Sequence, residues 1–386
     1  MWMTIIVFGL ILGVLIFVHE LGHFLLAIRN GIKADEFGFG FPPRIVGAVK
    51  NDKTKKYEII WGNKEIKSKN TVFSLNWIPL GGFVNIKGEN GSGKNDADSF
   101  VTKSAWVRIK VLAAGVTMNF ILAWFLLAIV FFLGAPEAID DQQKVKNAKV
   151  QISQIMDGTP AKEMGLAVGD QVLKICGDKN SCQAVDKVEE LKNNIDKYKG
   201  REVTLTIVRG EETLELKGVP RLNPPEGQGA LGVSLARTAL MQYPWYEAIG
   251  KGLKAVAEIT WLIISTLGVL LLKLFSGTKP TMDVAGPIGI AIMTKQVTAL
   301  GITYVLQFAA MLSINLAIIN ILPFPALDGG RIFFILIEKI KGSPINQKFE
   351  NMANSIGFML LLFLMVLVTF HDFIQFELVD KIKNLF

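Results

Sequence analysis

Apolar positions in this chain fall in long continuous runs, not in the alternation of a half-buried strand or the stripe of a surface helix. Runs at 3–28, 107–133, 255–275 and 304–322 are each long enough to consider as membrane spans. A shorter run at 358–370 has apolar flanks that extend it. The first run lacks the basic head and small-residue cleavage site of a secretory signal, so it reads as a retained span. Two polar regions separate the runs. Residues 29–110 carry 15 Lys+Arg against 8 Asp+Glu, a balance of +7, whereas residues 135–250 carry 15 against 17, a balance of −2. The positive-inside rule counts Lys and Arg near span ends, which places the first region in the cytoplasm and leaves the second suited to export.

Within the second region, 149–155 alternates as a strand. Gly158-Thr159-Pro160-Ala161 opens a short helix that Gly165-Leu166 closes, and Gly169-Asp170 turns into a strand at 171–175. Residues 184–199 have helical period, and 202–209 with 212–217 form a hairpin. This order and the glycine spacing resemble a PDZ domain over 145–222. The resemblance implies a module that takes chain ends or extended peptides by strand addition. Cys176 and Cys182 flank a turn-rich segment, and read either as a disulfide formed on export or as two small buried residues.

Composition agrees with a membrane protein. Apolar residues are 51% and charged residues 19% of 386, against a usual charged share of about 25%. That excludes a disordered chain, a collagen-like chain and an ordinary cytosolic enzyme. The net charge of +7 follows the topology, and with no aromatic-interleaved basic patch no nucleic-acid partner is expected.

Two of only three histidines lie in His19-Glu20-Leu21-Gly22-His23, inside the first run. Residues four apart share a helix face, so His19 and His23 can hold one metal. Glu20 beside them can take a proton from the attacking water and hand it to a leaving amine. Ionisable groups are costly in hydrocarbon, which argues against three in five positions by chance. Zinc in a hydrolase needs three protein ligands and an open position. His371 reads as interfacial, and Asp328, after Pro323 and Pro325 and before Gly329-Gly330, is the better third ligand. Taken alone, Asp328 also reads as a helix-capping acid.

Together, His19-Glu20-x-x-His23 and Leu327-Asp328-Gly329 resemble the site-2 protease family of intramembrane zinc metalloproteases. The nearest likeness is its bacterial branch with a PDZ domain, over nearly the whole chain. The resemblance implies Zn2+ held by His19, His23 and Asp328, with Glu20 as catalytic base. It implies Asn320, in Asn320-Ile321-Leu322-Pro323-Phe324-Pro325, as a substrate-binding residue. Phe37–Phe41 resembles a membrane-dipping hairpin loop, and Ile78–Val84 an edge strand that pairs the unwound substrate through Gly81, Gly82, Phe83 and Val84. Glycines there permit close backbone approach. Ala114–Phe120 matches the second-span motif except for Val116, where proline is usual. The implied substrates are transmembrane proteins, such as anti-sigma factors or signal-peptide remnants. The implied location is the bacterial inner membrane, with the PDZ-like domain outside and the active site toward the cytoplasm.

The expected fold is a polytopic α-helical membrane protein with about four transmembrane helices, a membrane-associated β-region and one inserted α+β PDZ-like domain. Residues 1–134 would form the first half of the protease core, with spans at about 3–28 and 106–133 around a β-rich loop at 29–104. Residues 240–303 would form membrane-surface helices, with 255–275 on the outer surface. Residues 304–386 would form the second half, with spans at about 304–325 and 354–371. A membrane-tethered PDZ adaptor would explain 149–217 but leave Glu20, His23 and Asp328 without purpose. A metal transporter would scatter its ligands along a path.

Overall fold

The computed structural model describes residues 2–63, 68–91, 93, 95–145, 147–177, 181–210, 212–225, 227–276 and 286–375. They form two compact units, residues 1–128, 249–298 and 304–386 in one, and 129–248 with 299–303 in the other.

In the first unit, α1 (Trp2–Arg29) is followed by β1 (Ala34–Lys50), β2 (Tyr57–Trp61) and β3 (Val72–Ile86). The strands make an antiparallel sheet in the order β2-β1-β3. β3 occupies one edge, where Gly82–Val84 pair with Phe37–Phe39. Next comes α2 (Ala105–Leu133), whose last residues pass into the second unit. α1 and α2 run antiparallel, because His23 meets Val111 while His19 meets Asn119. Their backbones approach closely at Gly22, where a Cβ would lie 2.5 Å from the Ala114 carbonyl oxygen. Small residues at such crossings are how membrane helices pack, since burial of apolar surface drives nothing in lipid.

The second unit begins with β4 (Ala135–Ala138), β5 (Lys149–Ile155), α3 (Pro160–Glu163), β6 (Gln171–Cys176) and β7 (Cys182–Ala184). It continues with α4 (Val188–Lys197), β8 (Val203–Arg209), β9 (Glu212–Gly218) and β10 (Val233–Met241). The sheet order is β4-β10-β5-β6-β8-β9, with β7 paired to β6. Ile152, Ile175, Leu191, Leu205, Ile207 and Leu231 form its buried core. The sheet reaches beyond the expected 145–222, because β10 returns to pair with β5 after a Pro- and Gly-rich connection. Cys176 and Cys182 face each other across β6 and β7 and are joined as a disulfide.

The chain continues with five helices, α5 (Trp245–Phe275), α6 (Pro287–Leu300), α7 (Ile302–Ile321), α8 (Asp328–Lys341) and α9 (Gln347–Gln375), most of whose residues belong to the first unit. Among the described residues, five helices are long and apolar enough to cross a membrane: α1, α2, α5, α7 and α9. The most apolar windows of α5 and α9 are only 6% buried within the protein. α7 is the most enclosed and shares a cluster with Ile11 and Leu15 through Phe308 and Ala309. α7 delivers Asp328 to His19 and His23, which lie toward the end of α1, so α1 and α7 run in the same direction.

Candidate metal centre

His19 and His23 occupy one face of α1 and are both buried. The chain breaks from helix after α7, and the irregular turn through Pro323 and Pro325 carries Asp328 to the start of α8. Gly329 and Gly330 leave no room for side chains here: a Cβ on either would lie 2.2 Å from the carbonyl oxygen of Ile321 or Phe324. The Asn354 Oδ1 of α9 accepts a hydrogen bond from Ala326 N at 3.0 Å, where Ala326 sits at φ 78°. An L residue rarely adopts that conformation without outside support.

Asp328 Oδ2 lies 3.0 Å from His19 Nε2 and 3.3 Å from His23 Nε2, and the two Nε2 atoms are 3.1 Å apart. Three corners of a tetrahedron with arms of about 2.0–2.1 Å stand roughly 3.3 Å apart. These three donors are therefore spaced as zinc ligands are. His23 Nδ1 donates to the Val111 carbonyl oxygen at 2.9 Å, which frees Nε2 to face the centre. Asn119 brings its side-chain amide within 3.2 Å of His19 Nδ1. Gly115 lies against both rings, since a Cβ there would be 2.4 Å from His23 Nε2. The donor set of two imidazoles and one carboxylate suits Zn2+, and the residues fit it.

Glu20, half-buried, lies within electrostatic reach of His23, His19 and Asp328. Asn320 is half-buried near the end of α7, eight residues before Asp328, and none of the hydrogen bonds around the three donors involves it. Gly81 and Gly82 of β3 pack on Ile16 and Phe17, the turn before His19. The close approach that these glycines allow is thus to α1 itself. Phe83 and Val84 continue that strand, half-buried. His371 is exposed near the end of α9, away from the cluster. Gly115 and Asn119 lay inside the second-span motif that carries part of the family likeness, without a role of their own, and Ser313 and Asn354 were not singled out from the sequence. Asn119 also carried a physical signal, a polar residue inside an apolar span.

The family model for peptidase family M50 matches residues 7–63 and 51–364, most of the chain. The chain belongs to peptidase family M50. The likeness drawn from the two motifs is to this same family. This M50 peptidase is 34% identical over 371 residues to a protein of Clostridium perfringens provisionally named a zinc metalloprotease, covering 96% of this chain and 98% of that one. The regulator of sigma-W protease RasP of Bacillus subtilis is 30% identical, again over 96% and 98%. A solved PDZ domain of an SdrC-like protein from Listeria monocytogenes aligns with 24% of this M50 peptidase and 93% of its own chain. It does so at 22% identity and a TM-score of 0.21, too low to bear on the fold.

Proposed function

We propose that this M50 peptidase is an intramembrane zinc metalloprotease that cuts peptide bonds within or near transmembrane segments of other proteins. The observation that carries this is the meeting of His19, His23 and Asp328 at ligand spacing among membrane-length helices. Zinc bound there would polarise the scissile carbonyl and the attacking water. Glu20, next to His19 on the same helix, takes the proton from that water and gives it to the leaving amine. Substrate in helical form hides its peptide bonds, so it must unwind. β3 offers an edge beside α1, at Gly81–Val84, on which the extended segment can pair. Asn320 serves the substrate at the end of α7. RasP is named for regulating sigma-W, and anti-sigma factors or signal-peptide remnants are the proposed substrates here.

The second unit is proposed as a PDZ-like domain that takes an extended peptide. Supporting this, β4 covers β10 only from Thr238 to Met241. The cytoplasmic-membrane location, with this domain outside, rests on the charge balance and on the disulfide, which persists in oxidising compartments.

Four helices are proposed to cross: α1, α2, α7 and α9. Gly286 N and Gly289 N, at the start of α6, donate to the Asp372 carboxylate near the end of α9 at 3.0 and 2.8 Å. α9 begins beside the Asp328 turn, with Gly357 against Pro325. Asp372 is therefore roughly 22 Å farther along, toward the start of α7. Both ends of α6 lie on that side, the side on which α2 ends. If α5 crossed, the nine residues between Ser276 and Gly286 would have to carry the chain back across. Ten fully stretched steps span about 35 Å, barely more than the roughly 30 Å hydrocarbon core, and a chain so extended would leave its backbone unsatisfied in lipid.

The test of the reaction is Glu20→Gln in purified protein. Proteolysis of a transmembrane substrate should fall by roughly 10² or more while zinc stays bound. Wild-type cleavage by that variant would overturn the mechanism. A membrane adaptor would contain no stoichiometric zinc.

A further inference from the structure

The geometry points to Asn119 as the residue that holds the His19 ring in its metal-binding form. This rests on the proposed zinc reading and assigns a positioning role to a side chain that neither binds metal nor touches substrate. Asn119 lies on α2, one helical turn past Gly115, and is 0% exposed. Its side-chain amide nitrogen stands 3.2 Å from His19 Nδ1, and its Oδ1 is buried with no hydrogen-bond partner. Its own backbone carbonyl is fixed by Ser313 Oγ, which donates to it at 2.8 Å from α7. The residue is therefore locked between α1 and α7, the helices that bring the ligands together.

An imidazole nitrogen binds a cation only through a lone pair. With the amide N–H facing Nδ1, Nδ1 accepts, the proton sits on Nε2, and Nε2 points that hydrogen at Asp328. Turning the amide by half a revolution presents Oδ1 instead. Nδ1 then carries the proton and donates it to Oδ1, and the Nε2 lone pair faces the centre. His23 needs no such device, because the Val111 carbonyl can only accept and fixes its Nδ1 as the donor. Asn119 supplies for His19 what the backbone supplies for His23. Such outer partners orient the ring and raise its basicity, and losing one costs about 10–100-fold in metal affinity.

Full-length protein in detergent, as wild type, Asn119→Leu and Asn119→Asp, is titrated with zinc against a chromophoric chelator. Cobalt absorption spectra report the ligand geometry independently of activity. Asn119→Leu removes the acceptor at nearly constant volume and should weaken zinc by about 10–100-fold. Asn119→Asp keeps an acceptor and gives up the N–H, and should hold zinc within about threefold of wild type or tighter, with the wild-type cobalt spectrum. Asn119→Leu binding as tightly as wild type would overturn the inference. So would Asn119→Asp losing tenfold or more, a result that stands even if the leucine variant does not fold. Wild type that binds no zinc would instead sink the proposed function, and this inference with it.

Discussion

Gly115→Ala should disable the centre while leaving the fold in place, and the distances say why. The added Cβ would stand 2.4 Å from His23 Nε2 and 2.8 Å from both Nε2 and Cε1 of His19. Ordinary carbon contacts are about 3.5–4.0 Å, so the rings or α2 must retreat by roughly 1 Å. Metal sites tolerate about 0.2 Å, so two of three donors would leave their places. Misplacement on that scale costs about 10²-fold in rate. Stability moves less. Overpacking costs about 1–3 kcal/mol, while alanine improves helix propensity by about 1 kcal/mol over glycine, so the two partly cancel. The assay is zinc affinity and cleavage of a transmembrane substrate, with thermal unfolding of the same samples. Gly9→Ala, where a Cβ meets nothing within 4 Å, is the control and should match wild type. Wild-type zinc affinity and cleavage in Gly115→Ala would refute the packing argument.

Two further outcomes are expected. Cysteine placed at Ser276 should react with an impermeant thiol reagent from outside the cell, after the native disulfide is taken into account by a cysteine-free parent; labelling from the cytoplasm alone would show that α5 crosses. In the second unit, Asp170 is buried and takes hydrogen bonds from Ala167 N at 2.8 Å, Arg209 Nε at 2.8 Å and Arg209 Nη2 at 2.7 Å. Asp170→Ala should destabilise that unit by about 1–3 kcal/mol, because the Ala167 N–H loses its acceptor while Arg209, partly exposed, stays solvated. The effect should be visible as faster proteolysis within 145–241 of the full chain, with zinc binding unchanged.

What the chain reveals without its structure is what repeats along one element. Membrane-length runs, the charge bias of the loops and the shared face of His19 and His23 all follow from helix geometry and local solvation. The expected hairpin at 202–217 was legible for the same reason, since strand alternation and a tight turn are local, and β8 and β9 form it. Asp328 is different. It lies 309 residues from His19, and it was reached through its Pro- and Gly-flanked context and the motif resemblance, not through helix spacing. The same holds for β10, which a Pro- and Gly-rich connection separates from the strands that it joins. Only the folded chain shows that Asn119 faces His19, that Gly115 abuts both rings and that α7 runs parallel to α1. α1, α2 and α7 are apolar nearly all round, so no stripe marks which side meets protein and which meets lipid. Those faces are chosen by where glycines let backbones close and where buried polar groups find partners, and both are decided between helices distant in sequence.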